Sequence, residues 1–279
     1  MNQLIDRSKY LNVSTNNDWN KILNASLAFL RESWSHNWVG LDRVLDECIV
    51  TLFPVNPISK GILNLLDCAR EISLKIEKNA DSTWEPPYHN RLHFSDVITS
   101  MSVLLLIEKE RTGTVDEYWT ALLLLAVICH DYKHPGGINN TVMEIENITI
   151  SHLKDTWNEW PLDEKTQLDI IYLIQNTDPK VVNHNHKLVE NLDFKFDKLW
   201  ATVVLNEADI LASCTAQYGV DLSKHLAEEW RIKGVRTQAF IATPQGRKNF
   251  LESAKFSSPA SVKLKISEAI LKEIALLSI

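Results

Sequence analysis

Helical periodicity runs through most of the chain. From Ser59 to Lys78 the apolar residues Ile62, Leu65, Leu66, Ala69, Ile72 and Ile76 recur at steps of three and four, which lines them up on one face of a helix. Comparable amphipathic stretches cover 18–34, 41–52, 92–111, 116–131, 141–158, 163–176, 196–217, 221–233 and 261–278. No convincing run alternates with the period of two that a half-buried strand needs. Breakers separate the stretches: Pro54 and Pro57, Pro86-Pro87, Gly113, Pro135-Gly136-Gly137, Pro161, Pro179, Pro244 and Pro259. No internal repeat, low-complexity tract or linker divides the chain. The expectation is one all-α domain over residues 1–279, with an N-terminal helical portion (1–80) packed on a motif-bearing portion (81–279).

Composition and charge narrow the partners. A net charge of −7 argues against a general nucleic-acid binder, which needs a basic face, but leaves room for a small phosphate ligand held by the local field of a pocket. The longest apolar run, Ala121 to Cys129, is too short to span a bilayer. The first twenty residues contain no apolar core of a signal peptide. Cys48, Cys68, Cys129 and Cys214 lie far apart with no C-x-x-C pairing, which disfavours a disulfide framework or a cysteine-zinc site and suggests a reducing compartment. Cys129 and Cys214 read first as small core residues, with a reactive thiol as the alternative. The expected location is cytoplasmic, and the expected partner is a small molecule rather than nucleic acid or membrane.

Two short tracts concentrate polar chemistry. Tyr88-His89-Asn90-Arg91-Leu92-His93-Phe94-Ser95-Asp96-Val97 opens one helical stretch, and His130-Asp131-Tyr132-Lys133-His134-Pro135-Gly136 closes the apolar stretch 116–131. His89 and His93 stand four apart, so on a helix they would share a face; alone, that spacing is weak. Asp96, one turn beyond His93, suits either ligation or the orientation of an imidazole. Asp209 follows in a mostly apolar helix, as a surface residue or a metal ligand. Clustered, buried imidazoles and carboxylates are costly unless a positive charge sits between them, so a catalytic metal centre is the economical reading.

In this order, Y-H-N-x-x-H-x-x-D-V, H-D-x-x-H-P-G-x-x-N and a later A-D-I resemble the class I 3′,5′-cyclic-nucleotide phosphodiesterase catalytic domain of the HD superfamily, over Tyr88 to Ile210. The resemblance implies a compact multi-helix bundle with a metal site in a central pocket. It implies that His93, His130, Asp131 and Asp209 ligate a first ion, typically zinc, and that Asp131 bridges to a second, typically magnesium or manganese. His134 would anchor waters of the second ion. Glu146, in Glu146-Asn147-Ile148-Thr149, and Thr177, in Thr177-Asp178-Pro179-Lys180, match further family tracts bordering the metals and their waters. His89 matches the general acid. The implied reaction is hydrolysis of a 3′,5′-cyclic nucleotide to the 5′-monophosphate by a metal-activated hydroxide. Such chemistry is coherent: two cations roughly 3.5–4 Å apart acidify a bridging water, and an imidazole protonates the departing alkoxide.

Departures from the family pattern bear on substrate. Lys133 stands where the family usually has an aspartate; it either holds a phosphate oxygen beside Arg91 or points to solvent. The stretch from Asn140 to Glu146 is shorter than usual, suggesting a more open pocket. The family's purine clamp is a glutamine three residues before a phenylalanine. Here Phe250 is the candidate phenylalanine, Arg247 holds the position three before it, and Gln245 lies five before. Tyr88, Gln245, Arg247 and Phe250 are therefore candidate substrate-binding residues. The alternatives are hydrolysis of another nucleotide or phosphoester, or a non-catalytic nucleotide-sensing module. His184 and His186 read as members of a polar loop, with metal binding the less economical choice.

Overall fold

A computed structural model describes residues 5–54, 59–82, 85–114, 116–160 and 162–278. Pro57, Pro161 and residues 1–4 of the N-terminal stretch lie outside the described residues. The described chain is all helical: α1 (Trp19–His36), α2 (Leu41–Leu52), α3 (Lys60–Ser82), α4 (Arg91–Thr112), α5 (Glu117–Cys129), α6 (Glu144–Glu159), α7 (Glu164–Gln175), α8 (Pro179–Val189), α9 (Lys198–Leu211), a 3₁₀ turn (Ala212–Cys214), α10 (Gly219–Ile232), α11 (Gln238–Ile241), α12 (Pro244–Ser253), α13 (Pro259–Lys263) and α14 (Ile266–Leu276). No strand occurs among the described residues.

Two helices form the centre because they are buried on every side. Residues 92–108 of α4 and 120–129 of α5 are all buried. A helix with no polar face must be wrapped by others. α4 packs on α1, α2, α5 and α9, while α3, α7 and α9 close around α5. The N-terminal helices α1–α3 thus cover the two motif-bearing helices, and Arg31 of α1 makes the tie specific. Its guanidinium donates to both oxygens of Asp96 at 2.8 Å and lies 3.8 Å from the centre of the Tyr218 ring. Asp96 therefore holds α1 rather than an imidazole.

The structure revises several local expectations. Pro179, Pro244 and Pro259 begin helices instead of separating them, each at the first helical position, where a missing N–H costs nothing. The tract Asn183-His184-Asn185-His186 lies within α8, not in a loop. Asn185 is buried and donates to the Asn176 carbonyl and to Asn206 Oδ1, both at 3.0 Å, and His186 Nδ1 pairs with Ser257 Oγ at 2.8 Å. Stretch 261–278 is not continuous either: Lys265, at φ 55°, breaks it between α13 and α14. All four cysteines are free and buried.

Two buried carboxylates hold the C-terminal segment onto the core. Glu108 of α4 accepts from Ala260 N at 2.8 Å, and Glu207 of α9 accepts from Ser258 N at 2.7 Å, Ser257 N and the Ser258 hydroxyl. Burial pushes the Glu207 carboxyl up to about 7 even though those groups donate to it. The folded protein then retains a proton that the unfolded chain, with an ordinary value of 4.5, releases. Its stabilising contribution is complete below pH 4.5 and is lost as pH rises through about 7. Denaturant titrations of wild type and Glu207→Gln across that window should show the wild type losing stability relative to the variant. A difference independent of pH would rule this linkage out.

Candidate metal centre and active site

The first motif positions two imidazoles by ending a loop at a helix cap. Asn90 is the N-cap of α4, and its side-chain oxygen accepts from Leu92 N at 3.0 Å and His93 N at 3.1 Å. His93 thus enters in the first turn. His89 lies before the cap, so the two do not share a helical face, although their ring centroids are 5.6 Å apart. The second motif works from the opposite end. α5 finishes at Cys129, and the turn that follows presents His130, Asp131 and His134. Asp209 arrives from α9.

His93, His130, Asp131 and Asp209 converge, each offering an atom within 4.8 Å of all the others. His130 Nδ1 bonds the Val127 carbonyl at 2.7 Å, which puts the proton on Nδ1 and a lone pair on Nε2. That Nε2 is buried, 3.0 Å from Asp131 Oδ2 and 3.4 Å from Asp209 Oδ1, yet aligned with neither as a hydrogen bond. His93 Nε2 lies 3.1 Å from Asp131 and 3.4 Å from Asp209. Burial alone would lower the His93 pKa, but Asp131 and Asp209 push it up to about 9. Burial likewise opposes ionisation of the two aspartates, while the imidazoles hold both carboxyls well below their usual range. Two lone-pair nitrogens and two carboxylates around one point, one nitrogen with no hydrogen-bond partner, suit a divalent cation of borderline softness.

Beside this cluster His89, Asp131 and His134 form a second convergence. His89 Nδ1 pairs with Glu229 Oε1 at 2.5 Å, and its Nε2 lies 3.9 Å from Asp131 Oδ2. Glu229 also accepts from the backbone N–H groups of Tyr88 at 2.9 Å and His89 at 3.0 Å. Burial would raise the Glu229 carboxyl, but His89 and these N–H groups hold it down to about 2. Its negative charge fixes the His89 tautomer and favours the imidazolium. The His134 ring stacks on His89 with centroids 3.6 Å apart, and its Nδ1 accepts from Gly136 N at 3.0 Å. Burial and the neighbouring His89 pull the His134 pKa to about 3, so it stays neutral with its proton on Nε2, a donor. Gly136, at φ 79°, is needed here because a Cβ would come within 3.2 Å of Glu229 Oε1.

Glu229 is the residue that motif reading missed. Its only signal is an acid one heptad after Leu222 on the buried stripe of α10. Glu146 is buried, receives both Asn139 amide bonds, at 3.1 and 2.9 Å, and feels the Asp131 charge. Thr177 turns its hydroxyl to the Ile174 carbonyl at 2.8 Å, and Asp178 next to it caps α8 and accepts from Met143 N at 2.7 Å.

A cleft of about 450 Å³ opens onto His89, Asp131 and His134, with Phe94, Lys133 and Lys233 among its walls. None of the four candidate substrate contacts lines it. Tyr88 packs between His89 and His93 with its hydroxyl 3.0 Å from Ser213 Oγ. Gln245 is exposed and bonds Asn249 at 2.7 Å. Arg247 is buried, donating to Glu273 at 2.8 and 3.1 Å, to the Thr215 carbonyl at 3.2 Å and to the Ser213 carbonyl. Phe250 packs on the core with the Arg247 guanidinium 5.7 Å from its ring centre.

Residues 88–203 match the family model of the 3′5′-cyclic nucleotide phosphodiesterases. This segment is of the class I phosphodiesterase family. Over 111 residues, 40% of this chain, it is 32% identical to the 3′,5′-cyclic-AMP phosphodiesterase 4 of Dictyostelium discoideum, of whose length it spans about a tenth. The fold extends the likeness beyond the motif segment. The structure of LmjPDEB1 in complex with IBMX aligns with 98% of this chain and 96% of that chain at a TM-score of 0.67 and 12% identity. The flanking helices therefore share the fold with little sequence in common. No described helix is long and apolar enough to cross a membrane.

The purified protein should carry a tightly held transition metal, and Asp209→Ala or His130→Ala should release it, as elemental analysis would show; metal-free active wild type would exclude the centre. Arg247→Gln should cost about 3–5 kcal/mol, because it leaves Glu273 poorly compensated in a buried position. Urea denaturation measures this, and an unchanged midpoint would remove Arg247 from the structural role.

Proposed function

We propose that this protein is a metal-dependent phosphodiesterase that hydrolyses 3′,5′-cyclic nucleotides to 5′-monophosphates. The observation that carries the reading is the convergence of His93, His130, Asp131 and Asp209 beside the Glu229-braced His89, within a segment that matches the family. We assign His93, His130, Asp131 and Asp209 to hold a first ion, zinc by the mixed nitrogen and oxygen donors, and Asp131 to share a second, magnesium or manganese. Bound there, the two ions would neutralise the phosphate and acidify a water.

The protein's own groups supply the rest. His89 Nε2 carries the proton for the departing alkoxide, and Glu229 keeps the ring oriented and stabilises its charged form. His134 Nε2–H donates into the same space, to a phosphate oxygen or a water. Glu146 adds a carboxylate in reach of the same field. The relative named a cyclic-AMP phosphodiesterase makes 3′,5′-cyclic AMP the first substrate to test. Because Gln245 and Arg247 are engaged elsewhere, we infer relaxed adenine–guanine discrimination, and this same observation favours a second reading in which another phosphoester is the preferred substrate. A cytoplasmic location accompanies the reading, supported by four free cysteines.

His89→Ala should keep its metal and lose turnover by roughly 10²–10⁴-fold, the worth of a placed general acid. The loss should shrink for an analogue whose leaving group needs no proton. Equal losses on both substrates, or loss of metal, would make His89 a ligand or a structural residue.

A further inference from the structure

We propose that Lys133 and Lys233 make the cleft beside the metal cluster selective for phosphodiesters that carry a second, non-scissile phosphate. The assignment rests on the phosphodiesterase reading and names the substrate class for the same site.

The two ammonium groups reach the cleft from different elements, Lys133 from the turn after α5 and Lys233 from the C-cap of α10. Lys133 sits at φ 57°, in the left-handed region that a lysine enters only at a steric cost. It is exposed and forms no ion pair with a described residue; the nearest ring is Tyr132, 5.3 Å from its Nζ. Lys233 is located by packing. A Cβ at Gly136 would lie 3.0 Å from Lys233 Cε and 3.2 Å from Glu229 Oε1, so one tight turn touches both this lysine and the acid that braces His89.

The carboxylates facing the cleft do not cancel this charge. Glu85 accepts from the Arg91 side chain at 3.1 and 3.2 Å and from Arg91 N at 2.9 Å, and Glu77 accepts from Arg91 at 2.7 Å. Asp131 is turned to the imidazoles. A cyclic mononucleotide has one phosphate, and the metal cluster would take it. Ammonium groups on the adjoining wall are of use only to a further anion. The volume of about 450 Å³ is within the range of nucleotide-sized ligand sites. An aspartate at position 133, usual in the family, would repel such a group.

The test compares binding of adenosine 3′,5′-bisphosphate and 5′-AMP to protein loaded with Zn²⁺ and Mg²⁺, by calorimetry. Wild type should prefer the bisphosphate by at least about tenfold, one charged phosphate contact. Lys133→Gln should reduce that preference to below about threefold, Lys133→Asp should abolish it, and Lys233→Gln should weaken it. Equal affinities in wild type, or a preference that survives Lys133→Gln and Lys233→Gln, overturns the proposal. Turnover of 3′,5′-cyclic AMP, followed in parallel, reads the reaction separately. A lysine-dependent bisphosphate preference without turnover would refute the reaction and keep the selectivity; turnover without the preference would do the reverse.

Discussion

The Asp131 carboxylate is the point on which the rest of the site depends. Its Oδ2 lies 3.0 Å from His130 Nε2, 3.1 Å from His93 Nε2 and 3.9 Å from His89 Nε2. Those groups come from the end of α5, the first turn of α4 and the loop before it, so any change in the seating of α4 against α5 would separate them. Burying so many titratable groups around one oxygen is unfavourable for an isolated chain and becomes favourable once a cation replaces the shared protons. The all-apolar surfaces of α4 and α5 answer to that demand. A centre with this much polar chemistry needs rigid walls, and helices buried on every side provide them.

Helix α10 joins the C-terminal half to this centre. One turn of it supplies both Glu229, which braces His89, and Lys233, which reaches the cleft. Glu108 and Glu207 secure the segment before α13 to the two central helices, and Arg247 ties α12 to α14 and to the 3₁₀ turn that follows Asp209. The C-terminal helices are thus anchored by buried ionic and hydrogen-bonded contacts. Such contacts require geometry more than apolar area, which suits a region whose sequence has little in common with the aligned structure of the same fold.

What was legible in the sequence was local. The apolar stretches over α2, α5 and α7 announce themselves by period, and the two motifs mark the first turn of α4 and the end of α5 because cap, ligand and turn residues stand side by side. What was hidden was non-local or disguised by composition. Glu229 meets His89 across 140 positions, and Arg31 meets Asp96 across 65, distances at which no spacing rule operates. The Asn-His-Asn-His tract of α8 looks like a solvated loop because its buried residues are polar, satisfied by Asn176, Asn206 and Ser257. Proline misled in the other direction, since the same residue that stops a helix from within starts one at its first position.

Arg247 shows why a motif position transfers chemistry less well than a set of contacts does. Its place three residues before Phe250 corresponds to the family's purine-reading glutamine, yet its guanidinium is spent on Glu273 and two backbone carbonyls. A guanidinium only donates, so it could not reproduce the paired donor and acceptor of an amide even if it faced the cleft. Once an acid at 273 is present to receive it, the arginine gains more from closing the C-terminal helices than from touching a ligand. The hydrolytic groups have no such freedom, because each is constrained by at least two neighbours around Asp131. Substrate recognition therefore has room to diverge on this scaffold while the metal cluster does not, and the charge on the cleft wall is where that divergence is written.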